Sequence, residues 1–240
     1  MKLYIVLTRL LITKRVVVFS LLLLVLSLLF FIATSNIGKA ADYQTFFSDT
    51  LENAYFQNSF VFLKWMTLIN ALFLCSHAFA FNSFDGLFIG HQSKYTYITT
   101  KLFTIIVMNL IIVVSIWLSY VIVSQMTLYY ELTMNDFRLG GLLLILGNYY
   151  IVLTLFFYVV FKHVVGIFIP LVGFIISFIL TDSGVIVHDI SGFLSINHLL
   201  FPDIIFTITS KIQFLHSFLT ISLLTILYIV VILEKLDLAK

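Results

Sequence analysis

Six runs of apolar residues, at 16–33, 59–81, 102–124, 139–161, 164–180 and 214–233, follow one another along the chain. A hydrocarbon core about 30 Å thick is crossed by roughly 20 helical residues rising about 1.5 Å each. Runs of that length leave few alternatives to helices that span a bilayer. The chain is therefore read as an all-α polytopic membrane protein, one domain over 1–240 with six transmembrane helices. Only Lys162-His163 separates the fourth run from the fifth, which predicts a tight helical hairpin. A seventh crossing over 192–208 is interrupted by Pro202 and Asp203.

Composition supports this reading. Charged residues make up 10% of the chain, less than half of the roughly 25% that a soluble domain presents to water. A net charge of +2 gives no electrostatic basis for binding nucleic acid. The single cysteine, Cys75, cannot close an intrachain disulfide and reads as a small buried residue. The first run is longer than the ~7–15 residues of a signal-peptide core, so an uncleaved first helix is expected rather than processing after Ala40-Ala41.

Basic residues set the predicted orientation, because cytoplasmic segments retain them. With the N-terminus inside, Lys2, Arg9, Lys14, Arg15, Lys94, Lys101, Lys162, Lys235 and Lys240 are cytoplasmic, and only Lys39, Arg138 and Lys211 are outside. Both termini are then cytoplasmic. The remaining cation, Lys64, lies within the second run, close enough to its outer end for the stem to snorkel outwards.

The segments between the runs differ in character. Residues 34–58 form a moderately polar outer loop, and 82–101 an inner loop rich in aromatic residues. Residues 181–213 are too apolar for a free loop and predict one or two short re-entrant helices at the outer interface before the last span. Leu3, Val6, Leu7, Leu10 and Leu11, interleaved with or followed by Arg9, Lys14 and Arg15, fit an amphipathic helix lying in the cytoplasmic interface.

The sequence has no P-loop, no metalloprotease motif and no nucleophile elbow. No enzyme activity, cofactor or metal site is therefore expected. His188, His198 and His216, with Asp182, Asp189 and Asp203, have no recognised ligand spacing and read as interfacial polar groups. Gly166 and Gly173 flank Pro170 in the fifth run and point to a kink or close helix packing; Gly140, Gly141 and Gly147 do the same in the fourth.

This layout resembles the membrane subunit of ABC-2-type ABC transporters. The likeness rests on the basic N-terminal helix, the six spans, the inner segment after the second span and the proline-bearing outer segment 194–205. Its most specific part is Phe84-Asp85-Gly86-Leu87-Phe88-Ile89, followed by Ser93-Lys94-Tyr95 and Lys101-Leu102. His91-Gln92-Ser93 stands where the family often carries proline. The resemblance implies a permease subunit in the bacterial cell membrane, similar to small free-standing ones of Gram-positive bacteria. It implies partnership with a separate ATP-binding subunit and with a second permease, identical or not, among membrane lipid. It further implies outward movement of a peptide, a bacteriocin or another amphipathic, lipid-like molecule. Arg9, Lys14, Arg15, Asp85, Gly86, His91, Lys94 and Lys101 become the expected coupling contacts. A secondary transporter would need ionisable residues at mid-membrane, and an intramembrane enzyme a catalytic group there. A non-transporting scaffold or sensor would need neither.

Overall fold

The computed structural model describes residues 13–41, 48–80, 94–128, 134–161, 164–173, 175, 219, 222–223 and 225–232, with no strand among them. Four long helices dominate: α1 (Lys14–Ala41), α2 (Ser48–Cys75), α3 (Lys94–Leu128) and α4 (Met134–Phe161). A π-turn, Ser76–Ala80, continues α2, and a 3₁₀ turn, Val164–Phe168, follows α4. All four helices are long and apolar enough to cross a membrane, over Lys14–Asn36, Asn58–Ala78, Thr99–Thr127 and Asp136–Phe161. Residues 164–173 and 175 fall in the predicted fifth span and 219, 222–223 and 225–232 in the sixth; the other residues of these spans lie outside the described ones. So do the N-terminal helix up to residue 12 and the re-entrant segment 181–213.

α1 starts where Thr13 caps it: the Val16 amide donates to Thr13 Oγ1 at 3.4 Å, satisfying one of the free donors of the first turn. Within the helix, Ser20 and Ser27 donate to the carbonyls of Val16 and Leu23 at 2.8 and 2.7 Å. Ser119, Ser124 and Thr154 are tied to their own helices in the same way. Such back-bonding satisfies a hydroxyl where water is absent. Only a narrow stripe of α1 is buried, through Val16, Leu23, Ser27, Phe31 and Ser35. Val18, Leu21, Val25 and Leu29 are more than half exposed, an apolar face that a soluble protein would have to cover.

Successive helices run antiparallel. Phe19 stacks on Phe73 and Phe30 on Phe62, with ring centroids 3.7 and 3.9 Å apart. Phe31 meets Tyr120 edge-on at 5.6 Å and so locks α1 beside α3 in parallel. α4 is the central helix: Leu142, Leu143, Leu146 and the unbroken run 149–153 are buried. Its sequence is apolar on every side, as suits a helix surrounded by others.

Several boundaries differ from those expected from polarity. Residues 34–58 are mostly helical, because α1 runs to Ala41 and α2 starts at Ser48. Lys94 and Lys101 belong to α3 rather than to the inner loop. A helix needs no apolar residues to continue past the hydrocarbon, only uninterrupted backbone hydrogen bonding. The fifth segment opens as a 3₁₀ turn, and Pro170 falls in the first turn of the helical stretch that follows. There its missing N–H costs little. Gly166 is a packing position: a Cβ there would come within 2.6 Å of the Phe157 carbonyl oxygen. Gly173, like Pro170, is buried.

Because that oxygen is backbone and cannot rotate away, Gly166→Ala is expected to cost about 1–3 kcal/mol. Gly141→Ala, with nothing within 4 Å of the new methyl, should leave stability unchanged or slightly raised. Thermal unfolding of the two variants in detergent gives the comparison.

Candidate functional site

Among the described residues, three groups of polar side chains stand out in the apolar bundle, one at each end and one between them. The first forms where α1 begins, α2 ends and α3 begins. Thr13 Oγ1 lies 3.2 Å from His77 Nε2, a bond made across the antiparallel α1–α2 pair at the level where the π-turn widens α2. Lys14 and Arg15 are exposed on the first turn of α1. Lys101 is fully buried. Counting back from the Phe31–Tyr120 contact along the parallel α1 and α3 brings Thr13 level with Lys101. Arg15 and Lys101 both lie within electrostatic reach of His77.

The second group lies at mid-depth. Asn70 Nδ2 donates to Asn109 Oδ1 at 2.8 Å, and Asn109 Nδ2 donates to Asn148 Oδ1 at 3.4 Å. One amide thus comes from each of α2, α3 and α4. Asn70 and Asn109 are fully buried. Gly147 makes room for this ladder, since a Cβ there would stand 2.7 Å from Asn109 Nδ2 and 3.0 Å from Thr67 Cγ2. Asn70 Oδ1 meets no donor. In a chain of three amides joined by two bonds, reversing every amide only exchanges that bare acceptor for a bare donor. The ladder is neutral, so it can orient a hydrogen-bonding group but cannot carry a proton or bind an ion by charge.

The third group sits at the opposite end from the basic one. Asp136, in the first turn of α4, is buried and accepts from Tyr120 OH at 3.2 Å. Trp117 Nε1 donates to the Asp136 carbonyl at 3.2 Å. A carboxylate suits that position, at the positive end of the helix dipole. The Trp117 indole lies over Gly140, whose Cβ would be 2.8 Å from it. Beside it, Val113, Phe137, Gly141 and Leu144 help line an apolar notch of about 120 Å³.

Of the residues singled out from sequence, Lys14 and Arg15 stand on the exposed start of α1 and Lys94 is the first residue of α3. Lys101 is inside the bundle, so any coupling role it has is exercised through packing rather than at the surface. Arg9, Asp85, Gly86 and His91 lie outside the described residues. Lys64 is half-buried, with Nζ 4.9 Å from the centre of the Phe60 ring, one turn towards the start of α2. Cys75 is buried, with Sγ 3.7 Å from the Ile151 carbonyl. Among the described residues no three His, Cys, Asp or Glu side chains gather into a metal site.

Thr13, His77 and the three asparagines were not anticipated from sequence. A signal existed for the asparagines, since consecutive members of the ladder are separated by 39 residues and each lies in an otherwise apolar run. Comparison with protein-family models, with curated proteins and with solved structures gives no match to this chain.

Interhelical hydrogen bonds inside membranes are worth about 0.6 kcal/mol on average and up to about 1.7. Asn109→Leu removes both bonds of the ladder and is expected to destabilise by about 1–2 kcal/mol. Asn70→Leu removes one bond together with the bare carbonyl and should cost less. Unfolding of both variants in the same detergent tests the order; equal or reversed costs would show that the ladder is not what holds these helices in register.

Proposed function

We propose that this chain is the permease subunit of an ATP-driven exporter of the ABC-2 type. In this reading it crosses the cell membrane six times with both termini in the cytoplasm. It pairs with a second permease and moves a peptide, a bacteriocin or another amphipathic molecule outward. The supporting observation is the basic end of the bundle. Lys14 and Arg15 at the start of α1 and Lys101 in α3 lie near the end of α2, and Lys94 begins α3 about two turns further out. The inner segment 81–93, with Asp85, Gly86 and His91, joins two of those helices at that end. Force applied to this segment would be delivered directly to α2 and α3. The neutral ladder further in agrees with a pathway that handles hydrogen-bonding groups without ion coupling.

A chain with no P-loop needs its ATP hydrolysed elsewhere. Purification after co-expression with the neighbouring gene products should therefore bring down an ABC ATPase in stoichiometric amount. Asp85→Ala and Lys94→Ala should each abolish stimulation of that ATPase by the permease while the amount of protein in the membrane stays the same. If no ATPase co-purifies in mild detergent with an ATP analogue present, the permease reading fails and a scaffold or sensor takes its place.

A further inference from the structure

The basic end has a second property that does not depend on the permease reading. We propose that Thr13, Arg15 and His77 form a binding site for a phosphate group, supplied by the headgroup of an anionic phospholipid, with the buried Lys101 adding its charge from within the bundle.

Three observations converge on this. The first is charge. Lys14 and Arg15 are exposed, Lys101 is fully buried a short distance away, and His77 stands among them, bonded to Thr13. α1 begins at this end, so the positive end of its dipole adds to the side-chain charges of its first turn. The carboxylate described in the structure is elsewhere: Asp136 lies at the start of α4, at the opposite end of the bundle.

The second observation is depth. The apolar stretches of α1 and α3 begin at Lys14 and Thr99, and that of α2 ends at Ala78. The cluster therefore lies at the edge of the hydrocarbon, where lipid phosphates sit. Arg15 offers a planar fork suited to two phosphate oxygens, and the hydroxyl of Thr13 and the ring of His77 add hydrogen-bonding groups of the kind that fix a bound anion.

The third observation separates a lipid from a free anion. Immediately inward of Arg15, α1 presents an uncovered apolar face: Val17 and Val18, then Leu21 and Leu22 one turn on, are 45–63% exposed. A phosphate held by Arg15 and His77 would leave its acyl chains lying along that face. Free phosphate would use the basic groups alone and gain nothing from it. Charge above and an apolar wall below are the two halves of a phospholipid, and the bilayer supplies such a molecule at this depth at high local concentration.

The test uses the full chain in nanodiscs of phosphatidylcholine, with or without phosphatidylglycerol, and reads thermal stability together with lipids retained in native mass spectrometry. Phosphatidylglycerol should raise the unfolding temperature and remain bound, and inorganic phosphate added to phosphatidylcholine discs should do neither. Arg15→Gln is expected to lower phosphatidylglycerol retention about fivefold, with Arg15→Lys recovering part of it; His77→Leu should lower it as well. Lys101→Gln tests the buried cation, and should it fail to fold, the exposed Arg15 variants decide the matter alone. Equal retention of the two lipids by the wild type, or unchanged preference in Arg15→Gln, overturns the site. An equal shift from inorganic phosphate alone overturns the lipid as its source.

Discussion

Inside hydrocarbon no water is available to a peptide group, and that single fact organises nearly everything in this bundle. Backbone amides and carbonyls must find each other along the same helix, which is why α1 to α4 are long and unbroken through their apolar stretches. Hydroxyl groups follow the same rule. Ser20, Ser27, Thr67, Thr104, Ser124 and Thr154 each bond a carbonyl one turn earlier. With those needs met locally, few polar groups remain to join one helix to another. Among those that do, Thr13 with His77, the three asparagines, and Tyr120 and Trp117 with Asp136 mark three distinct levels of the bundle.

Between those levels the helices are held by shape. Lipid chains are as apolar as the side chains they compete with, so association depends on close packing rather than on exclusion of water. Two devices recur. Flat rings stack across α1 and α2, Phe19 on Phe73 and Phe30 on Phe62. Glycines admit a large or polar neighbour: Gly140 accepts the Trp117 ring, Gly147 the Asn109 amide, and Gly166 the Phe157 carbonyl. The third lets the chain fold back tightly after α4. The other two seat the Trp117–Asp136 contact and the mid-depth ladder, so the same close approaches that fix packing also place the polar groups.

The two ends of the bundle differ in charge as well as in structure. One collects cations from separate helices around His77, and the other buries Asp136 at a helix start, where the dipole favours it. An end rich in cations is suited to receiving anionic material, whether lipid phosphates or an acidic patch of a partner. The neutral amides between the ends can engage a polar group without a change of charge.

Run length and composition were enough to place the four long helices, since the need to cross about 30 Å of hydrocarbon fixes how many apolar residues a span requires. They also marked one end of the bundle as basic, where Lys14, Arg15 and Lys101 lie on α1 and α3. Helix ends were less legible, because α1 and α3 continue into polar residues and only their hydrogen bonding shows where they stop. Lys101 looked like a residue at the end of a loop and is buried, since α3 starts at Lys94. Cross-helix partners were not legible at all. Asn70, Asn109 and Asn148 are one asparagine per span until the antiparallel register brings their amides into reach, and Thr13 meets His77 only because α1 and α2 lie side by side in opposite directions. Sequence by itself determined which segments avoid water, a property each segment carries alone. Which polar groups meet inside the bundle was decided by tertiary structure, because depth and facing belong to pairs of helices and not to either member.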